Sequence, residues 1–72
     1  MAVSYEKYRK LLKERNMNAT RLGRKADIAP NTMTRLQKDV EVTLTVLGRL
    51  CEVLGCNFGD LVDYVPEKKE LD

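Results

Sequence analysis

Within "PNTMTRLQK", Pro30 to Lys38, the polar residues Asn31, Thr34, Arg35 and Lys38 recur at spacings of three, four and seven, which places them on one side of a helix. Their chemistry is that of hydrogen bonds to flat ring edges and to anionic oxygens. An asparagine amide can pair bidentately with adenine and an arginine guanidinium with guanine. Asn31 and Arg35 are therefore candidate base readers, with Thr34 and Thr32 as secondary candidates. A polar side of an ordinary wet helix has the same composition, so the surrounding elements decide its meaning.

A second set of residues could hold an anion. Asn18 is a good N-cap, and the helix it starts presents backbone N–H groups at Ala19 and Thr20 with Arg21 beside them, the arrangement by which helix N-termini bind phosphate. Lys38 is a second phosphate clamp, and Arg24 and Lys25 either support it or form a solvated face. Catalytic and metal chemistry have no comparable set. The chain has no histidine, no nucleophile beside a base and no glycine-rich phosphate loop ahead of a helix, so neither an enzyme nor a cofactor is expected. Cys51 and Cys56 lie in the apolar run "RLCEVLGCNF" and read as small core hydrophobes rather than a redox pair, short of the quartet a structural zinc ion takes.

Positioning these residues falls to helices. "SYEKYRKLLKER" has the capping-type Ser4, Glu6 in its first turn, Lys13 and Arg15 in its last, and Tyr5, Tyr8, Leu11 and Leu12 on one side; the pattern predicts an amphipathic helix. Asn16 suits the left-handed residue that ends it, and Met17 can fold back onto its apolar face. In the second helix Leu22 and Ala26 share a face, and Gly23, costly in a helix interior, marks a close approach by the next helix. Asp27 tolerates the left-handed turn that ends the second helix, and Ile28 fills the space between the two.

Ala29, preceding Pro30, is pushed toward the extended backbone of an N-cap, and Pro30 suits the first helical position, where its missing N–H is not needed. A third helix is expected from Pro30 to Lys38, with Met33, Leu36 and then Val40 toward the core and Asp39 stopping it. Thr43 caps a fourth and most apolar helix carrying Leu44, Leu47, Leu50, Cys51 and Leu54, ended by Gly55. Asn57, with Asp60 three residues on, starts a short fifth helix.

The 72 residues suffice for one domain with one modest core, expected over 1–66, followed by a loose charged tail over 67–72. No apolar run is long enough to span a membrane and no signal-peptide pattern opens the chain, so a cytoplasmic location is expected. Net charge is only +2, yet residues 1–38 hold ten Lys/Arg against three Asp/Glu, a surplus of +7, while residues 39–72 hold three against eight, or −5. A basic half turned toward a polyanion, with the acidic half facing away, fits this polarity; an ordinary solvated surface is the alternative.

Two short helices joined by a tight corner within an all-α, five-helix domain describe a helix-turn-helix. From Tyr5 to Pro66 the chain resembles the small Cro/C1-type (Xre-like) helix-turn-helix regulators of bacteria and their phages, through "YRKLLKERNM", "LGRKADIAPNTMTRL" and "LGRLCEVLGCNFGDLVDYVPE". The resemblance implies a compact lambda-repressor-like DNA-binding domain, with helix Pro30 to Lys38 in the major groove of double-stranded DNA and the second helix across the backbone. It further implies sequence-specific transcriptional regulation, as a repressor, by a homodimer on a palindromic operator, with no small-molecule ligand evident.

The pairing surface would be Phe58, Val62, Tyr64 and Val65, which alternatively close the core against the first helix. Three positions depart from the family pattern: Asp27 and Asp39 stand where glycine is usual, and Ala29 where serine or threonine caps. Ala29 is expected to leave the N–H groups of Asn31 and Thr32 without a side-chain partner, and Asp39 to sit near the DNA backbone and repel it. A protein-interaction adaptor, such as the antitoxin half of a complex with weak DNA affinity, is the alternative on the same scaffold.

Overall fold

A computed structural model of the chain describes residues 2–66; the expected tail, 67–72, lies outside the described residues. In chain order the elements are β1 (Ala2–Ser4), α1 (Glu6–Glu14), α2 (Ala19–Ala26), α3 (Pro30–Gln37), α4 (Leu44–Leu54), a 3-10 turn (Phe58–Asp60) and β2 (Asp63–Val65). The helical class holds, with the count corrected to four α-helices among the described residues. The expected fifth is the 3-10 turn, where the Asp60 carboxylate accepts from the Asn57 N–H at 2.9 Å. The capping signal is present, but the chain then becomes extended and β2 pairs antiparallel with β1, Val3 opposite Tyr64. Strands of three residues are too short for alternation to register in the sequence.

All four helices end alike. Asn16, Asp27, Asp39 and Gly55 adopt left-handed backbone with φ of 58°, 60°, 57° and 68°. In each case the next residue's N–H closes back on a carbonyl five residues earlier: Met17 to Leu12 at 2.8 Å, Ile28 to Gly23 at 2.8 Å, Val40 to Arg35 at 3.0 Å and Cys56 to Cys51 at 3.1 Å. This is the Schellman closure, which satisfies carbonyls that a helix end leaves open. Three guanidiniums add to it from other elements. Arg9 Nη1 donates to the Leu36 carbonyl of α3 at 2.9 Å, Arg15 Nη1 to the Leu54 carbonyl of α4 at 2.7 Å, and Arg49 Nη1 to the Asp27 carbonyl just past α2 at 2.7 Å.

Helix starts differ more from expectation. Asn18 and Thr43 cap α2 and α4 as read, the Thr43 hydroxyl accepting from the Val46 N–H at 3.3 Å. Ser4 is not the cap of α1: it belongs to β1, and its hydroxyl reaches only the Glu6 N–H at 3.3 Å. Tyr5 takes the cap position, and its N–H donates at 2.8 Å to Asp39 Oδ1 from across the fold.

The core gathers Tyr5, Tyr8, Leu12, Leu22, Met33, Leu36, Leu47, Leu50, Leu54 and Leu61. Two residues read as core are not in it. Leu44 is 68% exposed and Val40 is 44% exposed. Leu44 is the first residue of α4, ahead of the turn that meets the core. Left-handed Asp39 swings Val40 off the α3 face. Cys51 and Cys56 are half-buried free thiols, and burial raises the Cys56 thiol above its ordinary pKa. The Tyr8 hydroxyl is fully buried and has no hydrogen-bond partner among the described residues.

Candidate nucleic-acid interface

The corner between α2 and α3 is built around a missing side chain. A Cβ on Gly23 would lie 2.8 Å from Met33 Cγ and 3.5 Å from the Ile28 carbonyl oxygen, so only glycine lets α3 seat this closely. Buried Met33 and Leu36 fix the inner face of α3, and Ile28 fills the corner. Asn31, Thr34, Arg35 and Lys38 are left exposed, whereas Thr32 is half-buried. The helix itself ends at Gln37, with Lys38 as the capping residue.

Open backbone donors occur at both helix starts, at one of the two expected residues in each. Asn18 Oδ1 already accepts the Thr20 N–H at 2.7 Å and the Arg21 N–H at 3.3 Å, which removes Thr20 from the free donors. The Ala19 N–H has no partner among the described residues. At the start of α3, Ala29 offers no side-chain cap, but the Thr32 N–H donates to the Ala29 carbonyl at 3.0 Å. Pro30 has no N–H, so the open donor of that turn is Asn31. The Thr34 hydroxyl donates to the Pro30 carbonyl at 3.1 Å, keeping acceptor capacity outward.

Between the two helices runs a groove of about 370 Å³, lined by Ala19, Thr20, Gly23 and Arg24 on one side and Pro30, Met33, Thr34 and Gln37 on the other. Gln37 is a polar residue on this wall that the sequence reading did not name. Its position three residues after Thr34 carried the signal.

Charge is sorted as sharply. Lys7 pairs with Asp63 at 3.0 Å and Arg9 with Asp39 at 3.0 Å. Arg21, Arg24, Lys25, Arg35 and Lys38 are exposed and make no ion pair among the described residues. Of the cations in the basic half, Lys7, Arg9 and Arg15 are used in bonds between elements, while these five stay exposed on α2 and α3 and Lys10 and Lys13 stay exposed on α1. Asp27 stands beside this surface, 3.8 Å from Arg49. Asp39 does not stand free there: the Arg9 guanidinium and the Tyr5 N–H hold its carboxyl below the usual carboxylate range.

The late apolar residues divide too. Val62 and Tyr64 line a second groove of about 340 Å³, together with Val3, Val42 and Leu44, with Glu41 and Asp63 at its rim. Tyr64 is 66% exposed. Phe58 and Val65, also exposed, are not among the residues lining it.

Two comparisons bear on this geometry. The model of the Cro/C1-type HTH DNA-binding domain matches residues 7–67. A crystal structure described as that of the transcriptional regulator VanUg, form II, is similar with a TM-score of 0.86 and 41% identity, covering 92% of this chain and 88% of that one. No curated protein matches the chain. With a helix-turn-helix corner at Gly23–Met33 and a family match over nearly all described residues, the chain belongs to the Cro/C1-type helix-turn-helix DNA-binding domains.

Proposed function

We propose that the chain is a sequence-specific transcriptional regulator, acting as a repressor, that reads the major groove of double-stranded DNA with α3. Asn31 and Arg35 read base edges, Thr34 serves as an acceptor, and half-buried Thr32 contributes at the margin. The Ala19 N–H, the Asn18 amide, Thr20, Arg21 and Lys38 hold phosphates, with Arg24 and Lys25 as further cations along the backbone. The observation that carries this reading is that α2 and α3, with the capping Lys38, carry five exposed cations that make no ion pair among the described residues, beside open backbone donors at the starts of both helices.

One such unit covers few base pairs, so the chain acts as a homodimer on a palindrome, setting two α3 helices about 34 Å apart. Val62 and Tyr64, joined by Leu44, are the central apolar residues of the pairing surface, with Phe58 and Val65 at its edges. Occupying a promoter excludes other proteins from it, which supports repression as the mode of action.

Selection from a random duplex pool tests the proposal. The expected result is an enriched palindrome whose affinity falls about a thousandfold or more between roughly 50 and 200 mM salt. Feeble binding without enrichment would favour the second reading, a protein-interaction adaptor, for which the exposed apolar groove with its acidic rim speaks. A partner protein that occupies Leu44 and Tyr64 would then be sought.

A further inference from the structure

Asp39 was expected to repel phosphates, and its surroundings argue otherwise. Its Oδ1 accepts from the Tyr5 N–H at 2.8 Å and from Arg9 Nη1 at 3.0 Å. The same Arg9 nitrogen donates to the Leu36 carbonyl in the last turn of α3 at 2.9 Å. From the other side of the junction, the hydroxyl of buried Tyr5 accepts the Val42 N–H at 3.2 Å. These bonds join residues 27 to 37 positions apart, and fasten the end of α3 and the segment after it to the start of α1.

A helix seated through its middle alone can pivot about that contact. For α3 the middle contact is Met33 against Gly23, and the junction at Leu36 and Asp39 supplies a second fixed point near its C-terminus. Bidentate base contacts require the helix angle to be held closely. We infer that Arg9 and Asp39 are positioning residues for the recognition helix, setting its angle against the groove without touching DNA themselves. The inference rests on the reading of α3 as the DNA-reading helix.

The backbone at Asp39 makes a clean variant available. Glycine adopts its φ of 57° without strain, so Asp39→Gly removes the carboxylate and keeps the turn. The full chain and its Asp39→Gly, Arg9→Met and Arg9→Lys variants are compared at a temperature where all are folded. Two measurements are made: affinity for the duplex enriched from the random pool and for a random duplex across salt concentrations, and amide exchange of the free protein.

Asp39→Gly and Arg9→Met should each weaken binding to the enriched duplex about tenfold. Binding to the random duplex and its salt slope should stay unchanged, and exchange should quicken at the Lys38 and Val40 amides. Arg9→Lys, which keeps a cation for Asp39, should recover most of the loss. Tighter binding of Asp39→Gly to both duplexes would instead make Asp39 a repelling charge. An equal loss on both duplexes with a shallower salt slope for Arg9→Met would make Arg9 a phosphate contact, and unchanged affinity and exchange would leave the junction without effect; each overturns the inference. Should the wild-type chain prefer no duplex, the DNA-reading proposal is what fails. Exchange at Lys38 and Val40 then decides alone, faster exchange in the variants supporting the junction and unchanged exchange overturning it.

Discussion

Arg35 and Lys38 lie less than a turn apart on the exposed side of α3, yet their removal should read differently. Arg35→Ala is expected to cost about 1–3 kcal/mol on the preferred duplex and to relax choice at one base pair, while Lys38→Ala weakens all sequences alike and flattens the salt slope by about one. Binding isotherms on a single-substitution duplex set check both, and equal losses everywhere would remove Arg35 from the readers. Tyr8 offers a second test, on stability. Its buried hydroxyl has no partner among the described residues, and burial pushes its pKa up to about 12, with Arg9 acting the other way. Tyr8→Phe should therefore stabilise the fold by about 1 kcal/mol at neutral pH. Because the folded pKa lies above the unfolded one, the contribution of Tyr8 is full below about pH 10 and is lost as pH rises through about 12. The advantage of the phenylalanine variant should widen over that window in denaturant melts. Among single residues, Asn18, Pro30 and Gly23 were legible because their roles are local. Asp39 was not, since its partners Tyr5 and Arg9 lie 34 and 30 residues away.

Among the elements, α2 and α3 depend on each other through one atom's worth of space. Gly23→Ala gains about 1 kcal/mol of helix propensity but forces a Cβ against Met33 Cγ. Overpacking of this kind costs about 1–3 kcal/mol, so a net loss is expected. The loss should shrink in a Met33→Ala background, which a double-mutant cycle by thermal melts would register. The helix ends make a contrasting case. Asn16 and Asp27 hold left-handed backbone with side chains that glycine could replace, so Asn16→Gly and Asp27→Gly should each stabilise by up to about 1 kcal/mol. Equal melting temperatures in the variants would mean those side chains compensate for the backbone. Helix starts and stops were readable from caps, proline and left-handed residues, and α3 was misjudged by a single residue at its end. The β1–β2 ribbon was not readable, because its strands owe their existence to each other across the whole chain rather than to any pattern within three residues. Ser4 misled for the same reason: its strand partner, not the helix after it, fixes where it lies.

For the molecule as a whole, the apolar groove around Leu44 and Tyr64 bears on assembly. Aspartate at the first position of α4 suits the helix start, so Leu44→Asp should leave folding intact. If the proposed pairing is right, it should convert a two-chain mass to a one-chain mass in sedimentation at micromolar concentration; an unchanged mass would move the interface away from this groove. Net charge alone said little here, since +2 for the chain conceals which cations are internal. That division follows from Lys7, Arg9, Arg15 and Arg49 reaching carboxylates and helix-end carbonyls on other elements. The three arginines among them have a kinetic consequence. Each helix end carries roughly half a negative charge, and those of α2, α3 and α4 are each met by a guanidinium, while the starts of α2 and α3 remain open. Toward a distant polyanion the domain therefore carries two partly open positive poles, with three of the four negative poles of the described helices masked. Such a field turns the molecule into docking orientation before contact, so its effect belongs to the rate of encounter rather than to the lifetime of the complex.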